Sequence, residues 1–175
     1  MVACVTAEPL ILNQQDKYVV NTSRLGEYVA ELKQALRLNR YDCNVCLMDD
    51  RKIRRLNWRY RGKDRATDVL SFPWDALPSL PRPCAGRERA RPRLARRSAK
   101  QCAAREFKNF LGEIVISVEA ARRNARREGH STLNEVRWLI LHGLLHLLGY
   151  DHESDQGEMT KLELSLRSRL GIAGD

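Results

Sequence analysis

The chain has 175 residues, 43% of them hydrophobic and 30% charged, and its 31 Lys and Arg against 22 Asp and Glu give a net charge of +9. That content supports one ordinary core, and no apolar run approaches the length of a bilayer span; with no basic segment leading into an apolar one at the N-terminus, neither a membrane partner nor secretion is expected. A pI near 9.7 favours a polyanionic partner, nucleic acid before membrane, and the five cysteines (Cys4, Cys43, Cys46, Cys84, Cys102) make no even framework, which suits reduced thiols in a cytoplasmic protein.

In chain order, Val2 to Val5 is a short β-branched candidate for the first strand. A helix is expected from about Ser23, with Leu25, Tyr28, Val29, Leu32 and Leu36 on one face. Cys43 to Met48 reads as a second strand in which Cys43 and Cys46 point to opposite sides, and no second pair completes a zinc ribbon. Asp49 and Asp50 close that strand, and one of them caps a helix burying Ile53, Leu56 and Tyr60 and ending at Gly62.

The polar stretch from Arg61 to Asp68 leads into a strand from Val69 to Phe72, a setting that suits a site between a helix end and a buried strand. Arg61 presents a planar fork of donors matched to phosphate, although a surface arginine at a helix C-terminus is the plain alternative. Residues 75 to 106 break the pattern. They hold nine basic residues against Asp75, Glu88 and Glu106, a net +6, and four of the six prolines. Such composition reads as a mobile insertion, either an RNA-gripping arm or a solvated loop.

Leu111 to Ile116 resumes as a buried strand, and Ser117 caps a helix that runs to Glu128 and stops at Gly129. Arg122, Arg123, Arg126 and Arg127 make one side of it basic, for solvation or for phosphate. Thr132 and Glu135 are spaced as a capping box, and Leu133, Val136, Ile140, Leu144 and Leu147 follow as the stripe of a buried helix. His130, just before it, reads as a hydrogen-bonded core histidine. His142 and His146 lie one turn apart on one face, and Gly149 turns the chain so that His152 returns beside them. Three neutral imidazoles are the ligand set of a catalytic zinc with a fourth position left for water, though nickel or copper also suits them. A last helix is expected from near Asp155, burying Met159, Leu162, Leu166 and Leu170.

The histidine spacing is that of the extended zinc-protease motif, with Gly143 where the protease has its general-base glutamate. HGLLHLLGYDH from His142 to His152, with LNWRYRGKDRATDVLSFP from Leu56 to Pro73 and GEIVIS from Gly112 to Ser117, resembles the YbeY family. Members of that family are bacterial and organellar metal-dependent endoribonucleases implicated in ribosomal RNA maturation. The resemblance runs in matching order over most of the chain and fails between Trp74 and about Glu106. It implies a metal in a cleft between helix and sheet, and a functional arginine at Arg61.

The expectation is one α+β domain over residues 1–175, a roughly four-stranded mixed sheet packed by helices, with the metal on a helix of the C-terminal half. The expected activity is hydrolysis of phosphodiester bonds in single-stranded RNA, ribosomal RNA above all, with the ribosome or its proteins as further partners. Zn2+ (or another divalent ion such as Ni2+) on His142, His146 and His152 activates water, and Arg61 offsets charge building on the phosphate. The general base stays open: Asp151 and Glu153 flank the third histidine, Glu113 is weaker, and the 2′-hydroxyl of the RNA can replace water. The rivals are a zinc peptidase with its base elsewhere and a non-catalytic rRNA-binding or ribosome-binding assembly module.

Overall fold

The computed structural model describes residues 10–74, 109–151 and 156–172. The Val2 to Val5 strand and the basic stretch at 75–106 lie outside these residues. So do His152 and Glu153.

Among the described residues, four strands form one mixed sheet in the order β1-β2-β4-β3: β1 (Ile11–Asn13), β2 (Asp42–Met48), β3 (Val69–Pro73) and β4 (Phe110–Ser117). β1 and β4 run parallel to β2 on either side of it, and β3 closes the far edge antiparallel to β4. The first described strand, Ile11–Asn13, carries no strand signature of its own. Its three residues are fixed by register against Val45, Cys46 and Leu47.

The described residues also form five helices: α1 (Thr22–Ala35), α2 (Asp50–Arg61), α3 (Val118–Glu128), α4 (Thr132–Leu147) and α5 (Glu158–Arg169). None of the described helices is long and apolar enough to cross a membrane. α1, α3, α4 and α5 bury one face of the sheet, where Val45, Leu47, Leu111, Ile114 and Ile116 meet Leu25, Leu32, Ile140, Leu144 and Met159 in the main core. α2 covers part of the other face through Ile53, against Met48, Leu70 and Val115.

Local chemistry sets the helix ends. Asn21, Asp49, Ser117 and Ser131 each accept a backbone N–H of the first turn, while Gly62 and Gly129 take the left-handed conformation that ends α2 and α3. The N-termini of α2 and α3 are also tied to each other. The Asp50 carboxylate accepts from the Ser117 hydroxyl and from Arg123 (2.6 Å), and Glu119 accepts the Asp50 N–H at 2.7 Å.

Two local expectations are corrected. The N-cap of α4 is Ser131, whose Oγ accepts the Asn134 N–H at 3.1 Å. That start moves Glu135 one position too far along to close a capping box with Thr132, and it turns instead to His130, whose Nε2 stands 3.1 Å away in ion-pair reach without hydrogen-bond alignment. Burial pushes the Glu135 carboxyl up, and Asn124 and His130 oppose that only in part. Tyr60 is not buried; it is 42% exposed, with one ring edge on Phe72 at 4.9 Å.

Candidate active site

The site grows from the last turns of α4. His142 and His146 are four residues apart, so their rings leave the same side of the helix, 4.7 Å between centroids. The helix then closes with two turn bonds, Gly149 N–H to the His146 carbonyl (3.0 Å) and Tyr150 N–H to the Leu145 carbonyl (3.1 Å), with Gly149 at a φ of 94° that costs glycine nothing. This turn swings the Tyr150 carbonyl back onto His146 Nδ1 at 2.9 Å. A carbonyl only accepts, so Nδ1 of His146 carries the proton and Nε2 presents its lone pair.

His142 is held the same way by a different partner. Its Nδ1 faces Glu163 Oε1 of α5 at 3.4 Å, and the same oxygen accepts the indole N–H of Trp138. Burial alone would raise the Glu163 carboxyl, but the bonds from His142 and Trp138, with the charge of Arg167, bring it below the ordinary carboxylate value. Arg167 in turn lies over the Trp138 ring at 4.0 Å. Glu163 therefore stays ionised and fixes the same tautomer on His142 that the Tyr150 carbonyl fixes on His146.

The consequence is electrostatic. Both Nε2 atoms point at one place, 3.1 Å apart. Two neutral rings with their Nδ1 protons so placed would set two lone pairs against each other, an arrangement that a cation between them relieves. Two nitrogens about 2.0–2.1 Å from one tetrahedral zinc stand about 3.3 Å from each other, so the observed separation fits such an ion. His152, named from the sequence as third ligand, lies outside the described residues, and among the described residues no three ligating side chains stand together.

A cleft of about 560 Å³ opens over this pair, lined also by Arg61, Asp68, Ser71 and Asp151. Arg61 leaves the last turn of α2 and is exposed, so the cleft gathers it with the two histidines from the other side of the sheet's edge. Asp68 is committed to the framework: it accepts its neighbour Val69's N–H at 2.9 Å and the Asn124 amide at 3.3 Å. Asp151 sits on the lip of the cleft. Glu113 does not reach it, because strand alternation on β4 sends it to the α2 face, opposite Ile114 and the histidines.

Gly143 has a packing reason. A β-carbon there would lie 2.6 Å from Ile114 Cγ2 and 3.1 Å from Ser71 Oγ, whose hydroxyl donates to the Gly143 carbonyl at 3.1 Å. A glutamate there would have to displace the Ile114 side chain, and the chain has no base where the zinc proteases carry theirs, which weighs against peptide cleavage.

Glu163 and Trp138 were not singled out in the sequence as site residues. A readable sign existed: Met159, Glu163 and Leu166 share one buried stripe, and a carboxylate in an apolar stripe needs a partner.

The family model "Endoribonuclease YbeY" matches residues 10–171. Among curated relatives, Endoribonuclease YbeY of Nautilia profundicola is 41% identical over 131 residues, 75% of this chain and 73% of that protein. The Endoribonuclease YbeY of Aquifex aeolicus is 34% identical over 168 residues, 93% of each. The solution structure of a Thermotoga maritima protein superposes with a TM-score of 0.57 at 25% identity, covering 92% of this chain and 87% of that one.

Proposed function

This chain belongs to the endoribonuclease YbeY family, and from that membership we propose that it is a metal-dependent hydrolase of phosphodiester bonds in single-stranded RNA, acting on ribosomal RNA during its maturation. The observation that supports this reading most is the pair of Nε2 atoms 3.1 Å apart in the same cleft as Arg61. The proposed ligands are His142, His146 and His152, with Zn2+ the first choice and Ni2+ a second. When bound, such an ion polarises a phosphoryl oxygen and makes water a better nucleophile at neutral pH.

The protein's own groups divide the rest of the work. Glu163 and the Tyr150 carbonyl hold the two imidazoles in one tautomer and one orientation. Arg61 offers two parallel N–H donors to the non-bridging oxygens of the scissile phosphate, where negative charge grows as the bond breaks. Asp151 receives the proton of the attacking water at a carboxylate oxygen; of the two described carboxylates weighed from the sequence, Asp151 and Glu113, it is Asp151 that lines the cleft. The RNA and the ribosome are the proposed partners and the cytoplasm the proposed compartment, in keeping with the free thiols of Cys43 and Cys46.

The deciding experiment measures cleavage of a single-stranded oligoribonucleotide by purified protein of known metal content, before chelation, after it, and after adding Zn2+ back. Loss and recovery of cleavage in step with metal is expected. Full activity in metal-free protein would remove the metal from the reaction, and casein cleavage in place of RNA cleavage would favour the peptidase.

A further inference from the structure

Among the described residues, only one face of the sheet is fully closed. On the other, α2 stops short and leaves a groove of about 600 Å³ over β1, β2 and β4. Aromatic rings border it. Trp74 and Tyr60 are 43% and 42% exposed, Trp74 stands edge-on to Phe110 at 5.9 Å, and Tyr60 stands edge-on to Phe72. Trp74 extends β3 by one residue through its N–H to the Leu111 carbonyl (2.9 Å), so its ring is carried on sheet backbone.

Three features point to the occupant. The groove adjoins the cleft of His142 and His146: Pro73 lines both, and Tyr60 and Arg61, successive residues of α2, line one each. The helix that borders it, α2, carries six basic residues against Asp50 alone; none of them lines the groove itself, so they favour a polyanionic backbone running alongside it. Its floor is polar where Asn44 and Glu113 approach to 3.5 Å, presenting amide and carboxylate groups. The amide donates one long bond to the carboxylate, and apolar protein surface laid over that floor would leave their remaining donors and acceptors unmatched, whereas the edges of nucleobases supply partners for them.

We propose that this groove is a base-binding extension of the cleft, in which unstacked bases of the RNA strand that passes Arg61 stack on Trp74 and Tyr60 across the edge strand β3. The inference rests on the endoribonuclease reading and adds a physical origin for single-strand preference. Bases in a duplex already have both faces covered, so only an unpaired strand can offer them to the two rings.

The test uses the full chain with Trp74→Leu, Tyr60→Leu and the conservative Trp74→Phe, all at exposed rings whose loss leaves the core intact. Binding of a single-stranded oligoribonucleotide is read in chelator, where cleavage does not contribute, and KM and kcat are read with Zn2+ present. Each leucine variant should raise Kd and KM about tenfold, as loss of one stacked base predicts, with kcat unchanged and Trp74→Phe close to the parent. An oligoribonucleotide carrying abasic positions should bind the parent protein as weakly as the intact one binds the leucine variants, and the variants should lose nothing further. Unchanged Kd in both leucine variants overturns the groove assignment while leaving the nuclease reading in place. Unchanged Kd together with a lower sedimenting mass would show the groove to be a contact between copies, and also overturns it. If the parent cleaves no RNA yet binds it with the expected ring dependence, the endoribonuclease reading fails and the base-binding groove stands.

Discussion

Gly143 and Ile114 touch where α4 crosses β4, the bare backbone of one against the branched side chain of the other, with 2.6 Å left for a β-carbon. Helix α4 can lie this low on the sheet only because that position has no side chain, and its height sets where the two histidines stand. Gly143→Ala should therefore cost stability, about 1–2 kcal/mol net, since overpacking outweighs the gain in helix propensity. In an Ile114→Ala background the same change should be neutral or stabilising by up to about 1 kcal/mol. Urea unfolding of the four proteins decides it, and equal costs in both backgrounds would sink the steric account.

His142→Ala, His146→Ala and His152→Ala should each lose bound metal, because two imidazoles hold zinc poorly against water and buffer. Glu163→Gln should keep the metal but weaken it about 10–100-fold, as expected when the carboxylate behind a ligand is lost. Metal analysis after dialysis against graded chelator reads both effects. Stoichiometric, tightly held metal in any one histidine variant takes that residue out of the ligand set.

Arg61→Lys keeps the charge and loses the fork. If the second bond forms as charge builds on the phosphate, losing about 2 kcal/mol of it slows turnover about 30-fold, with metal content and RNA affinity nearly unchanged. Single-turnover rates at saturating RNA give the answer. A variant that cleaves at full rate but binds poorly would reduce Arg61 to a surface phosphate contact.

The basic stretch should act on affinity instead. Pro73 pairs with Gly112 in the antiparallel ladder, so a short hairpin loop can replace residues 75–106 without opening the sheet. Removing its net +6 should weaken RNA binding and flatten the dependence of Kd on salt, with single-turnover chemistry little altered. An unchanged salt slope would make the stretch a bystander in RNA binding.

Asp50 carries a pH prediction. Burial works to raise its carboxyl, but the bonds from Arg123 and Ser117 outweigh that and hold it below the ordinary value of 3.8. A carboxylate depressed in the folded state adds stability that is fully present above its unfolded pKa and is lost as pH falls through the folded one. Asp50→Asn should thus destabilise by about 1 kcal/mol near neutrality, a modest figure because the pair is partly exposed. The difference from the parent should shrink below about pH 4. A gap that stays constant in acid would show that the charge is not what ties α2 to α3.

Much of this was legible because the signals were local. The apolar stripe of α4, the left-handed glycines at 62 and 129 and the cap at Ser117 all act within a turn of themselves, and each fell where the residues indicated. Ile11–Asn13 was not legible, since a three-residue edge strand is defined by its neighbour's backbone and not by its own pattern. Tyr60 failed for a related reason. Helical spacing put it on the inward side, but α2 overhangs the sheet there, and the ring ends on the rim of a groove that periodicity cannot foresee. The meeting of Arg61 with His142 is likewise a product of strand order, which brings residues some eighty positions apart to one cleft.

The bond from His142 to Glu163 also has a meaning for a chain still being made. α4 and His152 leave the ribosome before α5, so a nascent chain halted after His152 has all three proposed ligands but no carboxylate to set the first. Met159 and Leu166 would be missing from the core beneath it as well. A nuclease whose proposed substrate is ribosomal RNA would then carry no organised site while its own synthesis is unfinished, and would acquire one as Glu163 docks. Stalled chains released after His152 and after α5 give the comparison: tight metal retention should appear only in the longer one, and equal retention would show that the site matures without α5.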